Sequence, residues 1–501
     1  EVGERLNYKG EVLTPLDRAD VEREVRFLLD EGVVAIAVCF LHSYANPAHE
    51  IACGEIIRGL TPNIPVTLSH EITQEWREYE RTNTAVLNSY VHPIARQYLD
   101  HLETSLVGMG MPREALHVMQ SNGGSATFAA AKVAPIHLVE SGPVAGVIGA
   151  VHIGQLIGER NVIALDIGGT TAKTSLVENG IPKITTEYKI EHRRNFAGYP
   201  ILTPTVDIVE IGAGGGSIAW VDDAGALRVG PVSAGAEPGP ACYGKGGDRP
   251  TVTDANVLAG RINPNYFLGG EIGLDVERAA AAMQPICNAF GISVEDAAMG
   301  VLRIVDANMM NALKLVSVRR GYDPRDFTLI AFGGGGALHG AALMRELRVK
   351  KTIIPLLPGV FSAWGMLMTD LRRDYIRTLV TRIDRVTAER LDELLGEISA
   401  QAEQEMRAEG IAPDAIVLQR HADMRYLGQE HTVKVQLPGG VIDEAALVEI
   451  SARFHTLHEQ TYTFRLDTPV ELVNYHVTAF GRVPTPDIQH VNTAGTSLEA
   501  A

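Results

Sequence analysis

Asp166 closes the apolar run VIALD and is followed within a few residues by Gly168, Gly169, Thr170 and Thr171, then Lys173. The stretch 162–180, VIALDIGGTTAKTSLVENG, reads as two strands joined by a tight polar turn. Glycines allow close approach to the backbone, successive turn amides can form an anion-binding nest, and the threonines add hydroxyls. An acid at the end of an apolar strand can hold a cation or a water. Carboxylate, glycine turn and hydroxyls together therefore point to a phosphate with its Mg2+, with Asp166 as the metal ligand. The GxxxxGK[ST] spacing and following helix of a P-loop are absent, and an ordinary hairpin with a Gly-Gly turn uses the same residues.

Other positions offer related chemistry. The segment VDIVEIGAGGGSIAWVD, residues 206–222, sets Asp207 and Glu210 beside Gly214, Gly215 and Gly216, and Asp254 follows in PTVTDAN. Carboxylates next to glycine turns can ligate a metal or act as bases; they also serve as turn caps. Gly333, Gly334, Gly335 and Gly336 join an expected strand to an expected helix, where a ligand can rest on bare backbone and a helix N-terminus. The turn Ser121, Asn122, Gly123, Gly124 is a candidate cleft element or a plain surface turn. Asp306, Asn308 and Asn311 lie in one expected helix without sharing a clean face, and His455 and His458, at i, i+3, can bind a metal or line a polar interface.

Positioning these groups takes alternating strands and helices. Asp17 is expected to cap a helix reaching Asp30, with Val21 and Val25 inward and Gly32 as the stop; residues 33–41 form a buried strand, and 78–106 a long helix. Strand 116–120 and a small-residue helix, 143–157, complete a first α/β unit over 1–160. A second spans 161–378, interrupted at 191–270 by a glycine- and proline-rich insertion flanked by buried strands. Ser293 is expected to cap a long helix towards 320, and 327–332 is a strand. From 379 to 501 a charged helix, strands and a second helix read as a small α+β unit with a loose tail after 485.

The chain is 46% hydrophobic and 21% charged, as soluble globular proteins are. A net charge of −17 argues against nucleic acid or an anionic membrane as the main partner. The longest unbroken apolar run, 33–41, is too short to cross a bilayer. Cys39, Cys53, Cys242 and Cys287 are scattered without a CxxC, which fits free thiols in the cytoplasm.

Two glycine junctions on separate α/β units, DIGGTT and FGGGGALHG, resemble those of the actin-like ATPase and sugar-kinase superfamily. More specifically, ESGPVAGVIGA (140–150), ALDIGGTTAKTSL (164–176), the stretch 206–247, PTVTDAN (250–256), AFGGGGALHG (331–340), GVFSAWGML (359–367) and FHTLHEQTYTF (454–464) resemble the hydantoinase A / 5-oxoprolinase / acetone carboxylase family. The resemblance implies an α/β, two-lobed actin-like (ribonuclease H-like) ATPase fold with a glycine-rich insertion and a small α+β C-terminal domain. In that layout the family's earlier Asp-Gly-Gly-Thr hairpin, which lies before residue 1, would be the first phosphate element. Without it, the cleft of a 501-residue molecule would be incomplete.

Asp166 would then hold Mg2+, Gly168, Gly169, Thr170 and Thr171 the phosphates of ATP, and Gly333, Gly334, Gly335 and Gly336 the adenosine. Asp207 and Glu210 are expected as catalytic groups, with Gly214, Gly215, Gly216 and Asp254 on the substrate side. Two positions depart from many relatives. Lys173 stands where a second acid is common, and reads as a solvated hairpin lysine or as positive charge near phosphates. Val209 stands near a common histidine, which leaves Glu210 as the substitute. The implied function is an ATP-dependent cyclic amidohydrolase subunit of hydantoinase, N-methylhydantoinase or oxoprolinase type, in a hetero-oligomer with a hydantoinase B-like partner. An acetone- or acetophenone-type carboxylase subunit and a non-catalytic nucleotide-binding scaffold are the alternatives.

Overall fold

The structure, a computed structural model, describes residues 1–186, 188–191 and 196–486. The Asp17 side chain accepts from the amides of Ala19 and Asp20 and starts α1 (Arg18–Asp30), whose Val21 and Val25, one turn apart, are buried. β1 (Ile36–Val38) and β2 (Val66–Leu68) pair in parallel across the crossover helix α2 (Ala48–Leu60). The strand expected over 33–41 is shortened because its partner supplies only three residues of ladder. α3 (Glu78–Gly108) runs along this lobe.

A buried ion pair ties these elements together. Glu50, on α2, is 0% exposed and accepts from the Phe40 amide (2.9 Å), the Ser69 hydroxyl (2.6 Å), and the amide (3.1 Å) and Nδ1 (2.7 Å) of His70. Arg81, on α3 and 1% exposed, stands 3.7 Å from it and donates to the Phe40 carbonyl at 2.9 Å. Two short strands follow, β3 (His117–Met119) and β4 (Ser125–Thr127), and then α4 (Ser141–Leu156).

The second sheet is built from β5 (Val162–Ile167), β6 (Ala172–Glu178) and β7 (Ile208–Ile211), and then, beyond α5 (Val294–Val316), β8 (Thr328–Phe332). α6 (Gly336–Leu347), the short strand β9 (Thr352–Ile353) and α7 (Phe361–Leu367) complete the lobe. The path through the sheet is β7-β6-β5-β8-β9, with β6 antiparallel to both neighbours and β8 and β9 parallel to β5. Alternation sends Ile163, Leu165 and Ile167 to the α5 side and Val162 and Ala164 to the α4 and α7 side. α4 and α7 meet backbone to backbone: a Cβ on Gly365 would stand 2.0 Å from the Ala145 carbonyl oxygen.

The last sheet uses β10 (Leu371–Arg382), β11 (Ile416–Tyr426), β12 (Val433–Gln436) and β13 (Val470–Gly481), covered by α8 (Ala388–Ala408) and α9 (Glu444–Tyr462). Its order is β12-β11-β13-β10-β4-β3. The division expected at residue 378 therefore falls inside β10, and two strands from the first 160 residues complete this sheet.

The turn 121–124, a candidate cleft element in the sequence, is the clasp of that joint. Asn122 donates to Asp374 at 2.7 Å, Arg372 to the Asn122 carbonyl at 2.7 Å, and a Cβ on Gly124 would meet Arg372 Cβ at 2.0 Å. His455 bonds Tyr426 at 2.7 Å, and His458 is fully buried between the Phe464 carbonyl and Gln429, so the pair serves packing. Among the described residues no helix is long and apolar enough to cross a membrane.

Gly365→Ala should cost about 3 kcal/mol through overpacking, read as a lower thermal midpoint. Arg81→Met should cost about 3–5 kcal/mol by removing the guanidinium that faces the buried Glu50 carboxylate. The double variant Glu50→Gln, Arg81→Met should recover much of that loss; recovery of none would show that the pair is not the cause.

Candidate functional site

Strand register builds the site. β5 and β6 pair so that Asp166 stands opposite Lys173, and β6 and β7 so that Lys173 stands opposite Glu210. Directly opposed residues share a face, so the three side chains form a row across the sheet, on the α4 side. Lys173 Nζ lies 3.5 Å from Glu210 Oε1 and 3.3 Å from Glu140 Oε2. Glu140 immediately precedes α4 with φ 57° and accepts from the Tyr188 hydroxyl at 3.1 Å. Lys173 is thus not a solvated hairpin lysine; it is recessed, bracketed by two glutamates and close to Asp166.

No described residue donates a hydrogen bond to the Asp166 carboxylate. Burial raises its pKa above the usual aspartate value, and the Lys173 ammonium offsets part of that rise. Three carboxylates and one ammonium leave the row with two negative charges in excess, which suits one divalent cation.

Both expected glycine turns flank Asp166. On one side the turn after β5 is stacked against the 214–216 turn: the Gly215 amide donates to the Gly168 carbonyl at 3.0 Å and the Gly216 amide to Gly169 at 2.5 Å. A Cβ on Gly214 would stand 2.7 Å from the Gly168 oxygen, so no larger residue fits there. The Thr253 amide reaches the Gly215 carbonyl at 2.7 Å, and the Thr170 and Ser233 hydroxyls are 3.2 Å apart. The phosphate-side and substrate-side glycines of the sequence reading are therefore one stacked unit. Gly169 is exposed, with open space where a side chain would begin.

On the other side Gly333 has φ +78°, and a Cβ there would come 2.3 Å from Asp166 Oδ1. The Gly335 amide donates to the Ile167 carbonyl at 2.9 Å, Gly334 is exposed, and Gly336 begins α6.

Two expected carboxylates lie elsewhere. Asp207 is three residues from Glu210 along the chain, and strand alternation turns it to the α5 side. There both its oxygens take the Arg320 guanidinium, Oδ1 at 3.2 Å from Nη2. Asp254 is fully buried and accepts from the amides of Cys242 (2.8 Å), Thr251 (2.8 Å) and Ala241 (3.2 Å) and from the Thr251 hydroxyl (2.8 Å). It closes the capping box of the Val252–Leu258 helix and staples the 239–242 loop, leaving it no part in binding substrate. Asp306 pairs with His339 Nδ1 at 2.6 Å between α5 and α6, Asn308 donates to the Val229 carbonyl at 3.3 Å, and Asn311 is exposed. Glu140 is the site residue that sequence reasoning passed over: ESGPVAGVIGA contributes to the family resemblance, but nothing in its local pattern joins the leading acid to Lys173.

Comparison with known proteins agrees across the chain. Residues 81–375 match the family described as Hydantoinase/oxoprolinase, 1–61 its N-terminal region and 382–495 its C-terminal domain. The chain is 34% identical over 497 residues to the caprolactamase subunit alpha of Pseudomonas jessenii, covering 98% of this chain and 70% of that protein. It is 36% identical over 452 residues to the acetophenone carboxylase gamma subunit of Aromatoleum aromaticum, covering 87% of this chain and 60% of that one. The crystal structure of the ATP-dependent caprolactamase from Pseudomonas jessenii superposes with a TM-score of 0.84 at 34% identity, over 99% of this chain and 72% of that chain. With matches running from residue 1 to 495, and a sheet register that sets their glycine motifs around one acid, this chain belongs to the hydantoinase/oxoprolinase family.

Proposed function

We propose that the chain binds ATP with Mg2+ at Asp166 and activates the carbonyl oxygen of a cyclic amide for hydrolysis, as one subunit of a hetero-oligomeric enzyme with a hydantoinase B-like partner. What carries this is the Asp166 carboxylate, which has no donor among the described residues and stands between bare glycine backbone at 168–169 and 333–335. A recessed, undonated carboxylate suits a hydrated divalent cation, and open glycine backbone suits phosphate oxygens. Asp166 would hold the Mg2+, Gly168, Gly169, Thr170 and Thr171 the phosphates, and Gly333, Gly334, Gly335 and Gly336 the nucleoside. The sheet path β7-β6-β5-β8-β9, with its first three strands antiparallel and the rest parallel to β5, supports an actin-like (ribonuclease H-like) lobe.

An amide carbon is a poor electrophile because nitrogen donates into the carbonyl, and a phosphoryl group from ATP on the oxygen makes that oxygen part of a leaving group. Lys173 neutralises charge on the moving phosphoryl, and Glu140 and Glu210 keep its ammonium aimed. Glu210, the more exposed of the two glutamates, is placed to take a proton from water.

The relation to acetophenone carboxylase supports a second reading, in which a ketone is carboxylated. ATP turnover of the chain with its co-purified subunits distinguishes the two. Hydantoin, ε-caprolactam or 5-oxoproline should stimulate phosphate release; stimulation only by acetone or acetophenone with bicarbonate would favour the carboxylase, and stimulation by none would sink both.

Asp166→Asn should lower stimulated turnover at least about 100-fold. In the parent protein, loss of Mg-nucleotide binding on acidification should begin at a higher pH than an ordinary aspartate would give, because burial raises the Asp166 pKa. A raised carboxylate pKa means that the ionised form costs stability once pH exceeds it, so Asp166→Asn should also raise the thermal midpoint near pH 8, by about 2–4 °C.

A further inference from the structure

A cavity of about 330 Å3 lies where the first lobe, the loop at 202–204 and the β10 sheet meet, within the size range of small-molecule pockets. Ala130, Ala134, Leu138 and Ile398 give it an apolar wall. Its charged lining groups are already matched by the protein. Asp374 takes Arg372 at 2.9 Å and the Thr478 hydroxyl at 2.7 Å; Arg373 is held by Glu409 at 2.6 Å and Glu405 at 3.0 Å; Arg377 meets Glu397 at 3.0 Å. An ionic ligand would find no spare counter-charge there and would bear its desolvation cost unrelieved.

What remains free is neutral. Gln120 Nε2 donates to the Ser125 and Arg372 carbonyls at 3.1 and 2.9 Å, and no described residue donates to its Oε1, which is left as an acceptor. The His137 imidazole and the Gln74 amide, both lining the cavity, have no side-chain hydrogen-bond partner among the described residues. Burial holds the His137 pKa down to about 4, so its ring is uncharged at neutral pH. A neutral acceptor and neutral donors beside an apolar wall complement a small uncharged ring with an N–H next to a C=O. The chain links the cavity to the charged row: Leu138 lines the cavity, and Glu140, which pairs with Lys173, is two residues on, its Cα at most about 7 Å from that of Leu138.

We infer that this cavity seats the uncharged cyclic amide beside the Asp166 site. The inference rests on the proposed function for the identity of that site, but binding in the cavity requires no nucleotide. Calorimetric titration of the nucleotide-free full chain, with its co-purified subunits, tests it, using hydantoin and ε-caprolactam as neutral probes and 5-oxoproline carboxylate as the charged one. A neutral probe should bind, and the charged one at least about 10-fold more weakly. Ala130→Leu, which fills the cavity, and His137→Phe should each weaken the neutral probe at least about 10-fold while Mg-ATP binding persists, and His137→Gln should stay within about 3-fold of the parent.

Asp166→Asn should do the reverse, losing Mg-ATP and keeping the probe. If the nucleotide reading fails, Asp166→Asn leaves ATP binding unchanged while the cavity variants still lose the probe. The cavity assignment is overturned if neither neutral probe binds the parent, if 5-oxoproline binds as well as they do, or if His137→Phe and Ala130→Leu leave binding unchanged. Should Ala130→Leu not fold, the contrast between His137→Phe and His137→Gln decides.

Discussion

Backbone lies directly on backbone where the 214–216 turn covers the turn after β5, and the rest of the second lobe depends on that contact. The carbonyls of Gly168 and Gly169 are taken by the amides of Gly215 and Gly216, and no side chain fits between the two layers. A free four-residue turn would sample several conformations; this one is held in a single conformation by a second chain segment. The same contact anchors the long glycine-rich insertion, because Thr253 and Ser233 join the stack from its far side. With the turn held, β5 and β6 cannot slip, and a slip of one residue would turn Asp166 to the opposite face.

The charged row gains its character from that register. Lys173 alone would be an exposed cation; between Glu140 and Glu210 it is fixed in direction, and its charge is more than balanced. Asp166 differs from its neighbours because no described residue donates a hydrogen bond to it. A carboxylate that is buried and left without donors is costly to the fold, and such costs gather where a ligand is meant to relieve them.

Much of this was legible in the chain where the cause is local. Asp17 and Ser293 cap their helices as their positions suggest, accepting from Ala19 and Asp20 and from Asp296. The two glycine turns around Asp166 follow from strand-end glycines. Asp207 and Asp254 show where the reading fell short, though both were readable: a spacing of three in a strand separates Asp207 from Glu210 by a face, and Thr251 with Asp254 has the spacing of a capping box. Glu140 and the six-stranded last sheet were not readable in that way. Glu140 reaches Lys173 only because α4 packs on β5, and β4 meets β10 across some 245 residues of sequence, a pairing that no local pattern encodes.

β10 also bears on how such a chain can change over evolutionary time. Residues from 382 onward match a C-terminal domain with its own description, yet the sheet of that domain is completed by β4 and β3 from far upstream. Exchanging the tail between paralogues at that boundary would bring together β10 and β13 edges that had not evolved together, and would replace Thr478, whose hydroxyl donates to Asp374 of the clasp at 2.7 Å. An unmatched strand edge invites aggregation. The tail is therefore not a transferable cassette. It descends together with the first lobe, and successful recombination between relatives has to move both or neither.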